Sequence, residues 1–464
     1  MSALPFPALR KPQGATRYPP GPKARFPMEL LLRFGNDRIG FLEEMAAYGD
    51  ISHMEAGEGR HFYLLNHPEL IQNVLVTHDR SFVKSRALQI SRRLLGDGLL
   101  TSEGQTHLRQ RRLVQPAFHR QRMVGYAEVM AAQAARTSDR WLTLGPAAPV
   151  DMLQEMMRLT LAIVGKTLFD ADVEGEASEI GDALTAAFHS INRLLLPGGE
   201  LMEKLPLPVN RRTEEARQRL DATIYRFIAE RRASGQDHGD LLSMLLATRV
   251  EDEQGDASGM SDAQVRDEAM TLFLAGHETT ANALTWAWYL LSQNPAEERQ
   301  LHAEVDRMLA GRIPTYDDVP NLPFTRMVLS ETMRLYPPAF AIGREVVEPY
   351  QVREYTLPVG ATLFVSQYIM HRDPRYWFDA ERFDPNRWTP EAQARRPRFS
   401  YFPFGAGPRV CIGEGFAWAE GILVLATLAQ RWQARHVLGK PVALDPLFTL
   451  RPQHGMPMTL HRRR

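Results

Sequence analysis

Residues 404–413 read Phe404-Gly405-Ala406-Gly407-Pro408-Arg409-Val410-Cys411-Ile412-Gly413, and Glu414-Gly415 leads on into an apolar helical run from Phe416 to Trp432. A lone cysteine is most often a small buried hydrophobe. This one follows a loop of two glycines and a proline and stands where a helix begins. The free amides at a helix start carry partial positive charge, which favours thiolate over thiol, and Arg409 adds a cation two residues away. The setting suits a permanent thiolate ligand to a metal. Cys411 is the chain's one cysteine, so a Cys-x-x-Cys zinc, redox or covalent-haem motif and an intramolecular disulfide are both excluded. A metal held by a single protein sulfur must bring its other ligands with it, as haem does. A dinucleotide-binding reading fails, because Gly405-x-Gly407 lacks the third glycine and no strand precedes it.

The rest of the composition is that of an ordinary globular protein. Of 464 residues, 44% are apolar and 24% charged, with 55 Lys and Arg against 55 Asp and Glu. This excludes a disordered chain, a collagen and a disulfide-stapled miniprotein. Zero net charge gives no global pull towards nucleic acid or an anionic membrane. One cysteine fits a reducing compartment. Met1 to Pro27 is a polar, Pro-rich lead without the apolar run of a signal peptide or anchor, so a cytoplasmic location is expected. Ala269 to Leu291 is the most apolar later stretch, but Glu278 stands near its middle, so it reads as a buried helix and not a membrane span.

Helical patterns dominate the chain. Ile51 to Ala56 and His61 to Leu65 flank Gly57-Glu58-Gly59 and predict a hairpin. Pro68 stands where a helix starts. Ser261-x-x-Gln264 is a capping box that opens a helix running to Asn294-Pro295, about 50 Å long at the usual rise per residue. Strands are expected near Ala361 to Val365 and as a terminal hairpin, Thr449 to His461, turning at His454-Gly455. The predicted fold is mainly α with a minor β-sheet region: a lead over residues 1–30, then one helix-rich domain over 31–464.

The 404–413 loop resembles the haem-binding loop of the cytochrome P-450 family, with Phe404, Gly407, Arg409, Cys411 and Gly413 at its fixed positions. The resemblance implies the cytochrome P-450 fold and a bound haem b. Cys411 would be the proximal iron ligand, the thiolate whose electron push favours O–O cleavage. Phe404 would pack beside it and Arg409 would pair with a haem propionate. The resemblance extends along the chain. Glu331-Thr332-Met333-Arg334 would by itself be a solvated i,i+3 ion pair. Followed by Leu335-Tyr336-Pro337-Pro338, it is similar to the family's Glu-x-x-Arg helix, and Arg387 in Phe383-Asp384-Pro385-Asn386-Arg387-Trp388 matches the family's second arginine. Glu331, Arg334 and Arg387 are therefore expected to form a structural network. His107 and Arg111 share a helical face and, with Arg344, match propionate-binding positions.

Ala275-Gly276-His277-Glu278-Thr279-Thr280 interrupts the long helix. His-Glu-x-x-His would make a zinc site, but position 281 is Ala281. Two readings remain from the residues: Gly276 lets another element approach, or Gly276 opens an oxygen pocket where Thr279 donates a hydrogen bond and Glu278 relays protons. The segment looks like the family's acid–threonine signature, which gives Thr279 and Glu278 the catalytic roles. The implied enzyme is a soluble monooxygenase that inserts one atom of O₂ into a lipophilic fatty acid, steroid or terpenoid. Desaturation, C–C cleavage, a peroxide shunt or a non-catalytic haem sensor are the alternatives. The expected pocket holds Leu99, Leu100, Phe273, Leu274, Ala275, Gly276, Ala339, Phe340 and Ala341, together with the turn His454 to Met456. The chain leaves no room for a fused reductase, so electrons are expected from a separate ferredoxin or flavodoxin with an NAD(P)H-dependent reductase. Two basic clusters, Arg109, Arg111, Arg112, Arg120 and Arg122, and Arg395, Arg396 and Arg398, are candidate docking faces.

Overall fold

The computed structural model describes residues 18–463, except residues 27, 58, 174–179, 182, 184–189, 191–192, 195–201, 204, 206 and 252–256. Most of the predicted lead, residues 1–17, lies outside the described residues. The α-helices of ten or more residues among those described are α1 (Arg86–Leu95), α2 (Gly104–Val114), α3 (Arg120–Leu142), α4 (Met152–Phe169), α5 (Pro208–Ser234), α6 (Asp262–Gln293), α7 (Pro295–Leu309), α8 (Pro323–Leu335) and α9 (Glu414–Ala429).

Helix α6 is the axis of the molecule. Ser261 caps it as the sequence predicts, its hydroxyl accepting from the Gln264 amide at 3.2 Å while Gln264 Oε1 accepts from the Ser261 amide at 2.9 Å. Buried residues lie all round α6, the pattern of a helix enclosed by others and not one lying on a surface. α4, α5, α8 and α9 pack against it. Trp141, Trp288 and Trp432 form an edge-to-face cluster that ties α3 and a following strand to its C-terminal half, with ring centroids 6.4 and 5.7 Å apart.

The sheets are small and peripheral. β1 (Ile51–Glu55) pairs antiparallel with β2 (His61–Leu65) as predicted, and the sheet order is completed by β3 (Phe82–Lys84), β5 (Ile342–Val346) and β6 (Thr362–Val365) as β1-β2-β6-β5-β3. Residues of the lead belong to this unit: Tyr18 stacks on His53 with centroids 4.5 Å apart, and the Pro20 carbonyl accepts from the His53 amide at 3.0 Å. The boundary drawn at residue 30 falls inside the helix Glu29–Asn36. The predicted terminal hairpin does not form. Leu450–Pro452 pairs with Leu444–Pro446, while Pro457–Arg462 pairs with Trp432–His436 and with β4 (Pro149–Asp151).

One buried group on α6 carries a stability consequence. His277 is 2% exposed and its Nδ1 has no partner. Burial holds its pKa down at about 4. The unfolded chain takes up this proton below about 6.5, so the contribution is complete above that pH and is lost as pH falls towards 4, about 2 kcal/mol of it by pH 5. Denaturant unfolding should show a falling midpoint between pH 7.5 and 5, and a shallower fall in His277→Gln. Parallel curves for the two proteins would remove His277 as the source.

Candidate active site

The 404–413 loop closes on itself and faces inward. The Cys411 amide donates to the Phe404 carbonyl and the Val410 amide to the Gly407 carbonyl, both at 3.0 Å. Gly407 has φ +70° and lies so close to the 73–77 turn that a Cβ would sit 2.0 Å from the Leu75 carbonyl oxygen, so glycine is required twice over. Cys411 opens onto a cavity of about 2290 Å³ that it helps to line. Burial pushes the thiol up to about 11, against the pull of the Gly413 amide and Arg111. The sequence reading of a helix-start thiolate therefore understates the cost of burial: a metal ion is what would hold this sulfur deprotonated. Phe404 and Gly413 line the same cavity, with the Phe404 ring 5.7 Å from Trp418.

One end of the cavity is cationic. Lys84, His107, Arg111, Arg344 and Arg409 all line it. Burial and the neighbouring cations hold His107 neutral, with its pKa down at about 4. Arg344 is buried, its pKa is lowered to about 10, and its Nε has no partner. Arg409 donates to Glu103 at 3.0 Å and to the carbonyls of Phe82 and Asp79 at 3.0 and 3.2 Å. Arg111 donates to the Val410 carbonyl at 2.8 Å, which fastens α2 to the cysteine loop. An orphaned, buried guanidinium nitrogen among so many cations calls for anionic partners, which the two propionates of a haem would supply. The residues present fit that group.

The middle of α6 lines the same cavity. Leu274, Ala275, Gly276, Glu278 and Thr279 line the cavity. Thr279 Oγ1 donates to the Ala275 carbonyl at 2.8 Å. A Cβ on Gly276 would meet Val164 Cγ2 at 3.0 Å, so its bareness serves the approach of α4, the first of the two readings offered above. Glu278 is buried, which pushes its carboxyl up, and Oε1 accepts from Thr449 at 2.7 Å. Leu99, Leu100, Ala339, Phe340 and Ala341 complete an apolar wall. Phe273 does not belong to it: at 1% exposure it packs between Phe169 and Phe227, centroids 5.7 and 6.4 Å away. Nor does the turn His454 to Met456, whose place is taken by Leu447, Phe448 and Thr449.

The loop carrying Leu99 and Leu100 is fastened through its backbone. Lys84 Nζ donates to the Leu99 and Ser102 carbonyls at 2.9 and 2.6 Å, Glu268 accepts from the Leu99 amide at 3.0 Å and Asp267 accepts from the Asp97 amide at 2.8 Å. Lys84, Glu268, Asn282 and Thr449 were not singled out in the sequence. The signal for two of them was present, since Glu268 and Asn282 interrupt an apolar helix without an evident surface.

Glu331, Arg334 and Arg387 meet away from the cavity. Arg334 grips Glu331 through Nε and a terminal nitrogen, both at 2.8 Å, and Arg387 Nε lies 3.2 Å from Glu331 Oε1. Trp388 Nε1 and the Asp384 amide add donors to Glu331 at 3.0 Å each. Arg396 stacks over Trp377 and Trp388 and donates to the Arg387 carbonyl, so it serves this network and not a docking face.

The sequence profile described as Cytochrome P450 matches residues 19–456. The chain belongs to the cytochrome P450 family. It is 42% identical to the cyclooctatin synthase of Streptomyces melanosporofaciens over 414 residues, 89% of each chain. It is 38% identical to the cyclooctat-9-en-7-ol 5-monooxygenase of the same organism over 86% of each chain, and 34% identical to the pentalenene oxygenase of Streptomyces avermitilis over 89% of each. This P450 is thus a haem monooxygenase, an oxidoreductase that incorporates oxygen. Among the described residues no helix is long and apolar enough to cross a membrane. Arg109 and Arg112 are exposed on α2, the helix that Arg111 ties to the cysteine loop. Arg395 and Arg398 are exposed as well, and Arg120 lies 3.8 Å from Asp317.

Proposed function

We propose that this P450 hydroxylates a cyclic terpenoid of low polarity, using haem b and electrons from a separate partner in the cytoplasm. The observation that carries the reading is that Cys411, Glu278 and Thr279 line one cavity whose remaining wall is apolar. Bound haem supplies the activation of oxygen. The protein supplies the sulfur ligand at Cys411, the cations Arg111, Arg344 and Arg409 and the neutral imidazole of His107 as hydrogen-bond donors around the propionates, and an apolar wall that excludes water. Thr279 holds its hydroxyl at the cavity surface as a hydrogen-bond partner, and the buried Glu278 carboxyl delivers the proton. The resemblance to family members with this acid–alcohol pair supports these roles, and a sensor would have no use for them. The haem domain in this reading takes in the segment from Tyr18 through the helix Glu29–Asn36 as well as the residues that follow. The names of the relatives denote a cyclic olefin and a cyclic alkenol, which favours a terpenoid over a fatty acid or steroid. A screen of all three classes by ferric spin-state shift tests this, and a response confined to fatty acids would overturn it.

Thr279→Ala should keep substrate binding and send electrons to hydrogen peroxide, lowering product formed per NAD(P)H several-fold. An unchanged ratio would make Thr279 structural. The donor is a ferredoxin or flavodoxin with an acidic face, steered to Arg109 and Arg112 with an on-rate that falls as salt rises. Reversing both arginines to Glu should slow reduction by the partner in stopped flow while a peroxide-driven reaction persists. Unchanged rates and salt dependence would place docking elsewhere.

A further inference from the structure

Glu278, Asn282 and Trp286 stand at i, i+4 and i+8 on α6 and so share one face, along which Thr449 and Leu450 lie. Trp286 Nε1 donates to the Leu450 carbonyl at 3.1 Å, Asn282 Nδ2 to Thr449 Oγ1 at 3.0 Å and Thr449 Oγ1 to Glu278 Oε1 at 2.7 Å. Glu278, Asn282, Trp286 and Thr449 are all buried. Asn282 Oδ1 has no partner, so this amide is kept, at a cost, for the bond it donates.

A hydroxyl has one proton to give. With Asn282 donating to it, Thr449 spends that proton on Glu278 Oε1. That oxygen is then an acceptor, and a proton on the carboxyl has to sit on Oε2. Glu278 and Thr449 both line the cavity. We infer that Thr449, itself held by Asn282, is a positioning residue that fixes the Glu278 carboxyl with its proton-bearing oxygen available to the cavity. The inference rests on the reading of Glu278 as the proton donor. When Oε2 gives up its proton, the carboxylate left behind keeps the Thr449 hydrogen bond, and water replaces the proton. Without the Thr449 hydroxyl the carboxyl is free to turn its proton into the protein.

The test uses the haem-loaded enzyme in three variants: Thr449→Val, which keeps shape and loses the hydroxyl, Thr449→Ser, which keeps the hydroxyl, and Glu278→Gln. The protonated carboxyl gives an infrared carbonyl band that Glu278→Gln removes. In Thr449→Val that band should move to higher wavenumber, because its carbonyl loses a donor, and Thr449→Ser should restore it. With pentalenene as probe substrate, product per NAD(P)H should fall several-fold in Thr449→Val and recover in Thr449→Ser, with the spin-state shift on binding unchanged. An unmoved band overturns the positioning. A moved band with full coupling in Thr449→Val overturns its part in proton delivery. Full coupling in Glu278→Gln overturns the underlying reading of Glu278 instead.

Discussion

Replacing Cys411 by His is expected to abolish monooxygenation. The sulfur faces the cavity from a loop closed by two backbone hydrogen bonds, so an imidazole at this position is presented to the same space. Neutral imidazole cannot supply the electron push of a thiolate. The cationic end of the cavity is untouched by the change, so haem binding should persist. The measurement is twofold: the ferrous–CO spectrum should lose the red-shifted thiolate band, and product formation should fall below detection while the Soret absorbance shows haem retained. Full activity in Cys411→His would end the haem-thiolate assignment.

The second large effect is on folding. Arg334→Ala removes both bonds to Glu331 and the donors that satisfy the carbonyls of His371, Ala380 and Arg382. Both members of the pair are completely buried. Losing Arg334 leaves the buried Glu331 with only Arg387, Trp388 Nε1 and the Asp384 amide and orphans three carbonyls, at a cost of about 3–5 kcal/mol, against a total stability of about 5–15 kcal/mol for an ordinary domain. Arg334→Lys should rescue little, since an ammonium cannot reproduce the two-pronged grip. Denaturant unfolding and haem content of the purified variants check this, and a loss below about 1 kcal/mol would show that the network is not what holds this region.

How much of this was legible in the sequence depended on distance along the chain. The cysteine loop closes within ten residues, so its own turns could be read in one line, although its seat against the Leu75 carbonyl and its tie to Arg111 could not. Glu331 and Arg334 are a turn apart on one helix, and only the family resemblance brought in Arg387. On α6 the error over Phe273 was one of facing. Ala275 and Thr279 are four apart and share the cavity side, whereas Phe273, His277 and Ala281 form the next stripe round the helix and are buried outside the cavity lining. The helical period separates those stripes, but nothing local says which one meets the cavity. Thr449 was out of reach for a different reason. Its partners lie about 170 residues earlier, and a threonine before a short strand carries no mark of them. The cost of burying the Cys411 thiolate was not legible either, because partial charge at a helix start is visible in sequence and desolvation is not.

The way the loop over the pocket is held has a consequence for inheritance. Lys84, Asp267 and Glu268 hold it by carbonyl and amide groups that every residue possesses. None of those fastenings depends on which side chains the loop carries at positions 99 and 100. A lineage could therefore exchange Leu99 and Leu100 for other apolar residues, one mutation at a time, and alter what the cavity admits while the frame around it stays put. Diversification of substrate range would then proceed separately from the selection that preserves the haem site.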